Sequence, residues 1–334
     1  VTEGREAGTF HDRGVRDALV AHARQSILHG SKSFAAASHL FDAATRERVW
    51  LLYAWCRRCD DIADAQDHGG TLGTQGTPGD GAERFATIRT LTARAFAGEA
   101  TGDPAFDALG VVARETGLTP AMAEDVIAGF ALDAADWHPR SEADLMRYCW
   151  HVAGAVGVMM AVVMGVAPDD EDTLDRACDL GLAFQLANIA RDLAEDDAAA
   201  RCYLPAEWLA EHDVPPGEQM KPPYRATMAR LAARLCERAQ AHRCSARIGA
   251  ARLAPRQRWA ILAAAGIYGE IAVEVARRGK KAWDSRTVVG KGRKIAWIGK
   301  AAVQALLPVP RPCHAGAETR RFTRRDLIAM TRPL

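Results

Sequence analysis

The chain has 334 residues, of which 49% are hydrophobic and 25% charged, with a formal net charge of +1. These proportions fit an ordinary globular protein with enough chain to bury a sizeable core, and they exclude a disordered or fibrous one. A charge balance so near zero gives no overall field to gather nucleic acid, so none is expected as a partner and any anion site must be local.

The first residues, Val1 to Gly14, are polar and acidic and carry no signal-peptide pattern. Asp42 is placed to cap a helix running through Val49, Leu52, Tyr53 and Cys56 to Asp64. Residues 67–81 are glycine-rich but lack any phosphate-loop spacing, and read as a surface loop. Thr119–Pro120 starts a second helix, and Ser141 with Asp144 forms a capping box for a third. The uncharged run Val152–Ala167 falls short of the roughly 18–20 residues that span a bilayer, so a helix buried within the protein is expected there. Its Gly154, Gly157 and Gly165 with Met159, Met160 and Met164 suit either a flexible apolar cavity or close helix packing. Asp169–Asp170 opens a long helix reaching about Asp196. Arg225–Arg243 and Pro255–Arg278 are amphipathic, and from Pro308 a proline-rich tail turns basic at Arg320, Arg321, Arg324 and Arg325.

Strand patterns are nearly absent, so the expected class is all-α. The eight cysteines are scattered, and only Cys56 and Cys59 form a C-x-x-C. No second ligand pair stands near for zinc, and the expectation is structural thiols in a reducing cytoplasm.

Two segments carry chemistry. In Asp60-Asp61-Ile62-Ala63-Asp64, the first and last carboxylates leave one helix face, which Arg57 and Tyr53 share. In the stretch Asn188 to Asp196, the spacing Asp192–Asp196 repeats this pattern, and Gln185 and Asn188 extend it as a stripe of oxygen-bearing side chains. Hard Mg²⁺ prefers such ligands and is commonly held by one or two carboxylates plus substrate phosphates. A departing diphosphate also needs metal and arginine to neutralise its charge. The paired motifs therefore point to metal-assisted diphosphate chemistry at the mouth of an apolar cavity. A di-iron carboxylate bundle would want Glu-x-x-His pairs, which are missing.

These residues resemble the squalene/phytoene synthase family, and within it the bacterial phytoene synthases. The likeness runs from about Ser31 to Arg286. It rests on Ser31-Lys32-Ser33-Phe34, on Tyr53-Ala54-Trp55-Cys56-Arg57 leading into DDIAD, on the run from Tyr148 to Gly157, and on GLAFQLANIARD followed by Arg201-Cys202-Tyr203-Leu204-Pro205.

The resemblance implies a single-domain isoprenoid-synthase helical fold with a central apolar cavity over residues 31–307, preceded by an N-terminal extension (1–30) and followed by the basic tail (308–334). It also implies Mg²⁺ or Mn²⁺ on Asp60, Asp64, Asn188, Asp192 and Asp196. Diphosphate contacts would come from Ser31, Ser33, Tyr53, Arg57, Gln185, Asn188, Arg201, Tyr203, Tyr268 and Arg286, with Tyr148 lining the reaction pocket. The implied reaction joins two geranylgeranyl diphosphates head to head, through prephytoene diphosphate, to phytoene, with no NADPH. Alternatives are a C15-using dehydrosqualene or squalene synthase, the squalene branch being the less expected without a C-terminal membrane anchor, and a non-catalytic helical binding or assembly protein on the same fold. The expected setting is the cytoplasm, with peripheral contact at the membrane face and with other carotenoid-pathway enzymes.

Overall fold

The computed structural model describes residues 13–63, 66–67, 70–71, 81–134, 137–307 and 322–331. They fall into two compact units, Val1–Ala134 with Val162–Pro168, and Ala135–Ala161 with Asp169–Leu334.

The first unit contains α1 (Arg13–Gly30), α2 (Lys32–Ser38), α3 (Ala43–Ala63), α4 (Gly81–Ala97), α5 (Pro104–Glu115) and α6 (Pro120–Ala134). A two-residue antiparallel pairing, Gln66–Asp67 with Gly70–Thr71, follows α3. It is the one strand contact among the described residues, and residues 72–80 of the glycine-rich segment lie outside them.

The caps explain where these helices begin. Asp42 accepts from the backbone N–H of Thr45 at 2.9 Å and from its hydroxyl at 2.7 Å, which holds the first turn of α3. Asp103 does the same for α5 ahead of Pro104. Thr119 accepts from Met122 at the start of α6. Helix α1 begins well before the boundary expected at residue 31. Leu19, Ala23 and Ile27 are buried on it, and Arg16 reaches Glu115 at 2.6 Å and Glu47 at 2.7 Å. It is part of this unit's core.

The second unit contains α7 (Glu142–Cys149), a π-helical turn at Trp150–Gly154, and α8 (Ala155–Val163), whose last two residues belong to the first unit. Next come α9 (Glu171–Ala198), α10 (Ala206–Ala210), α11 (Arg225–Ala250), α12 (Pro255–Arg278), α13 (Lys291–Leu306) and α14 (Arg324–Thr331). The Ser141–Asp144 capping box forms as the sequence predicts, and Asp170 caps α9 through Thr173.

Helix α9 is the unit's central rod, buried from Thr173 to Leu193 against α11, α12 and the π turn. Two glycines make that approach close. A Cβ at Gly157 would stand 2.5 Å from the Ala177 carbonyl oxygen, and one at Gly181 would stand still closer to that of Ala153. Gly157 therefore serves tight packing, the second of the two readings its sequence allowed. Gly181→Ala should destabilise the protein by about 1–3 kcal/mol through overpacking, read as a lower denaturation midpoint with an unchanged m-value. An unshifted midpoint would mean that the backbones part without cost.

Buried polar groups pin α9 to α11. His242 Nδ1 lies 2.7 Å from Asp179 Oδ1, Ser245 donates to Asp179 Oδ2, and Arg176 donates to Ser245 Oγ at 2.8 Å. Helix α14 docks by burying Leu327 and by pairing Arg324 with Glu171 and with Asp175 at 2.7 Å. Two arginines of the basic tail, Arg324 and, at 3.6 Å from Glu171, Arg325, are thus tied to the start of α9, while Arg320 and Arg321 lie outside the described residues.

Two helical stretches, Glu142–Val163 and Pro255–Lys281, are long and apolar enough to cross a membrane by length and composition. The first continues the run at Val152 backwards through the π turn, and 67% of its apolar window is buried inside the protein.

Candidate active site

In the first unit the acidic motif closes α3. Arg57 donates to Asp60 Oδ2 at 2.7 Å and to Asp61 Oδ1 at 2.6 Å, one turn on, so a single guanidinium holds two carboxylates. Asp61 is only 3% exposed, whereas Asp60 keeps a solvent-facing edge. Asp64 lies outside the described residues. Tyr53, two turns before Asp60 on α3, is half-buried edge-on to Phe34, with ring centres 5.7 Å apart, and burial pushes its hydroxyl pKa up. Ser31 caps α2 by accepting from Phe34 N–H at 3.3 Å, and Ser33 lies on that helix with its side chain outside the described set.

Cys56 and Cys59 sit on the same helix. Burial pushes the Cys56 thiol up to about 12 and the Cys59 thiol well above its usual value, as inert structural cysteines require.

In the second unit the other motif occupies the last turns of α9. Arg191 donates to Asp192 Oδ1 at 2.7 Å and also reaches its other oxygen, and Arg286 approaches Asp192 Oδ1 at 3.1 Å. Gln185 and Asn188 lie half-buried upstream, and the Asn188 Oδ1 is buried with no hydrogen-bond partner. Asp196 has a carboxyl pKa pushed up to about 6, first by burial and then by the Asp192 charge, against the pull of Arg201.

The sign of that shift makes a prediction. The folded state holds the Asp196 proton up to about pH 6 while the unfolded state releases it near 3.8. Stability of the metal-free protein therefore falls as pH rises between those values, and the whole cost remains above pH 6. Asp196→Asn should raise metal-free stability at pH 7 by about 1 kcal/mol after discounting for partial exposure, with no gain below pH 4. Thermal melts at the two pH values read this directly, and an equal gain at both would place the cause elsewhere.

Three aromatic rings stack in the same unit: Tyr148, 3% exposed, lies between Trp137 at 5.5 Å and Tyr203 at 5.0 Å, both nearly parallel. Tyr268 stacks on Phe184 at 4.1 Å and is partly exposed. A cleft of about 420 Å³ is lined by Trp137, His138, Arg140, Asp144 and Arg147. Its lining is polar, which suits a charged group better than a hydrocarbon chain.

Sequence reasoning missed Asp61, Trp137 and the pairing of Asp192 with Arg191. Arg57 and Asp61 are four residues apart, so the i,i+4 rule could have found the first. Nothing local marks Trp137.

A divalent cation fits the donors on α9. Asn188 presents an orphaned carbonyl oxygen, and Asp192 and Asp196 add carboxylates on the following turns. No three His, Cys, Asp or Glu side chains converge among the described residues. That is no obstacle for Mg²⁺, which takes few protein ligands and completes its shell with water and phosphate.

The fold matches solved isoprenoid-condensing enzymes. A dehydrosqualene synthase in complex with a ligand aligns with a TM-score of 0.75 at 25% identity, covering 86% of this chain and 97% of that one. Squalene synthase HpnC from Alicyclobacillus acidocaldarius gives 0.69 at 22% identity, over 80% of this chain and 97% of that one, and shows the fold alone.

The squalene/phytoene synthase family model matches residues 27–293. A phytoene synthase of Pseudescherichia vulneris is 46% identical over 95% of this chain and 98% of its own length. A 15-cis-phytoene synthase of Pantoea ananas is 44% identical over 89% and 96%. The chain belongs to the squalene/phytoene synthase family, whose members are prenyltransferases that generally depend on a divalent metal.

Proposed function

We propose that this chain condenses two geranylgeranyl diphosphates head to head to 15-cis-phytoene, the first carbon skeleton of a carotenoid. The observation that carries the reading is the oxygen-bearing stripe of α9, with the unpartnered Asn188 Oδ1 ahead of Asp192 and Asp196. The names of the 44–46% identical relatives supply the substrate class.

In the first half-reaction the C–O bond of one diphosphate breaks, and the allylic cation is attacked by the C2–C3 double bond of the second substrate. Loss of a proton closes the cyclopropane of prephytoene diphosphate. In the second half that intermediate ionises, rearranges and loses another proton. Two diphosphates and two protons leave in all, so no reductant is needed.

When bound, Mg²⁺ or Mn²⁺ supplies charge neutralisation to the departing diphosphate. On the first unit Asp60 and Asp64 would hold it, and on the second Asn188, Asp192 and Asp196. Arg57 and Arg286 would exchange carboxylate for diphosphate oxygens, a swap that suits their forked donors, and Arg201 would add a third guanidinium to the diphosphate. Ser31, Ser33, Tyr53, Gln185 and Tyr268 add neutral or aromatic contacts. The stacked rings of Tyr148 and Tyr203 wall the reaction pocket and exclude water from the cations. We also propose peripheral work at the cytoplasmic membrane face, with the product passing to later carotenoid enzymes.

A second reading, condensation of C15 diphosphates, is favoured by the likeness to the dehydrosqualene synthase. Purified protein given C15 and C20 diphosphates with magnesium decides between them. A C40 hydrocarbon as the dominant product supports the first reading, and a C30 one replaces it with the second.

A further inference from the structure

Helix α13 is apolar on two faces. Its inner face is seated on α12: Trp259 donates to the Ile298 carbonyl at 2.9 Å, Trp297 donates to Glu270 at 3.0 Å, and Ala301 is fully buried. Gly266 leaves the room that the Trp297 ring fills. This side fixes the helix in place.

The outer face follows helical spacing through Gly292, Ile295, Ala296, Gly299, Val303 and Leu306, all exposed. Ile295 is 69% exposed, Val303 60% and Leu306 87%, among the largest apolar exposures in the described residues. Val288, 73% exposed, precedes the helix, and Leu307, 53% exposed, follows it. A soluble surface has no use for a continuous apolar stripe of this length, and such patches mark contact sites.

Charge decides what the stripe meets. Lys291 and Lys300 border it on either side by helical position, and Lys300 lies over the Trp297 ring with its ammonium 4.5 Å from the ring centre. From Ser285 to Ala317 the sequence has no Asp or Glu but carries Arg286, Lys291, Arg293, Lys294, Lys300 and Arg311. An apolar stripe edged by lysines, with acids excluded from the whole segment, matches an interfacial helix on an anionic bilayer. A second protein surface gives no reason to exclude acids.

We propose that α13 is a membrane-docking helix. Ile295, Val303 and Leu306 enter the boundary between headgroups and acyl chains, and Lys291 and Lys300 meet lipid phosphates. This deepens the reading above, because the substrates and product of that reaction partition into lipid. The docking helix does not depend on the basic tail, whose Arg324 is committed to Glu171 and Asp175.

The test is co-sedimentation of the full chain with phosphatidylglycerol–phosphatidylcholine vesicles, alongside hydrocarbon formation in detergent on the same preparations. Ile295→Asp combined with Val303→Asp should weaken vesicle binding by about tenfold or more. Lys291→Gln combined with Lys300→Gln should weaken it less and flatten its salt dependence. Detergent activity should stay within about twofold for both, since neither pair touches the site, and its loss in the parent chain would count against the reaction without bearing on docking. Unchanged vesicle binding in the first variant overturns the proposal. So does parent protein that ignores vesicles but self-associates through this face, which would make a second copy the occupant.

Discussion

Asp192→Asn is expected to lower turnover about 10³-fold, equivalent to about 4 kcal/mol of lost transition-state stabilisation. The carboxylate stands between Asn188 and Asp196 on the oxygen-bearing stripe, and an amide in its place keeps one neutral carbonyl oxygen but loses the negative charge that holds a hard cation. In the metal-free molecule Asp192 is paired with Arg191 and with the exposed Arg286, and its charge also disfavours the neighbouring Asp196 carboxylate. Its removal should therefore cost little stability, and the melting temperature should move by a few degrees at most. The loss should appear in kcat more than in KM, since the missing interaction matters most as the diphosphate departs. Near-normal turnover at ordinary magnesium would remove Asp192 from the metal set.

Arg57→Leu is expected to act on the fold as well as on the reaction. Arg57 neutralises Asp61, which is 3% exposed, and Asp60 at the same time. Deleting one partner of a buried pair strands the other charge, and the cost is typically 3–5 kcal/mol. The midpoint of denaturation should fall accordingly, and activity should fall with the lost guanidinium. Adding Asp61→Asn to Arg57→Leu should recover much of the stability, because the stranded charge is then gone, while activity stays low. A double variant as unstable as the sum of the two single changes would show that the buried pair is not the cause.

What could be read from the sequence was local. Asp42, Thr119, Ser141 with Asp144, and Asp170 each announce a helix start through a side chain a few residues from the N–H it accepts. Pro255 at the first turn and Gly279, with its positive φ, after Arg278 mark the ends of α12 by backbone conformation. The two acidic motifs were legible because the i,i+4 spacing alone puts their carboxylates on one face.

Distant contacts were not legible. Helix α1 belongs to the core because Arg16 meets Glu47 and Glu115, far along the chain. The close packing of Gly157 and Gly181 depends on carbonyl oxygens of neighbouring helices. The burial of Asp61 and the stacking of Trp137 on Tyr148 likewise depend on packing that no window of sequence displays. The outer face of α13 looks like any amphipathic pattern until the structure shows which of its apolar sides is already covered.

The most direct test of the proposed reaction is product identification from geranylgeranyl diphosphate, with and without magnesium and with and without NADPH. A C40 hydrocarbon should form only with the metal, and it should keep its central double bond whether or not NADPH is present, because the last cation is quenched by proton loss. A product whose central bond becomes saturated when NADPH is supplied, or a hydrocarbon that forms equally well after chelation of divalent metal, would contradict it.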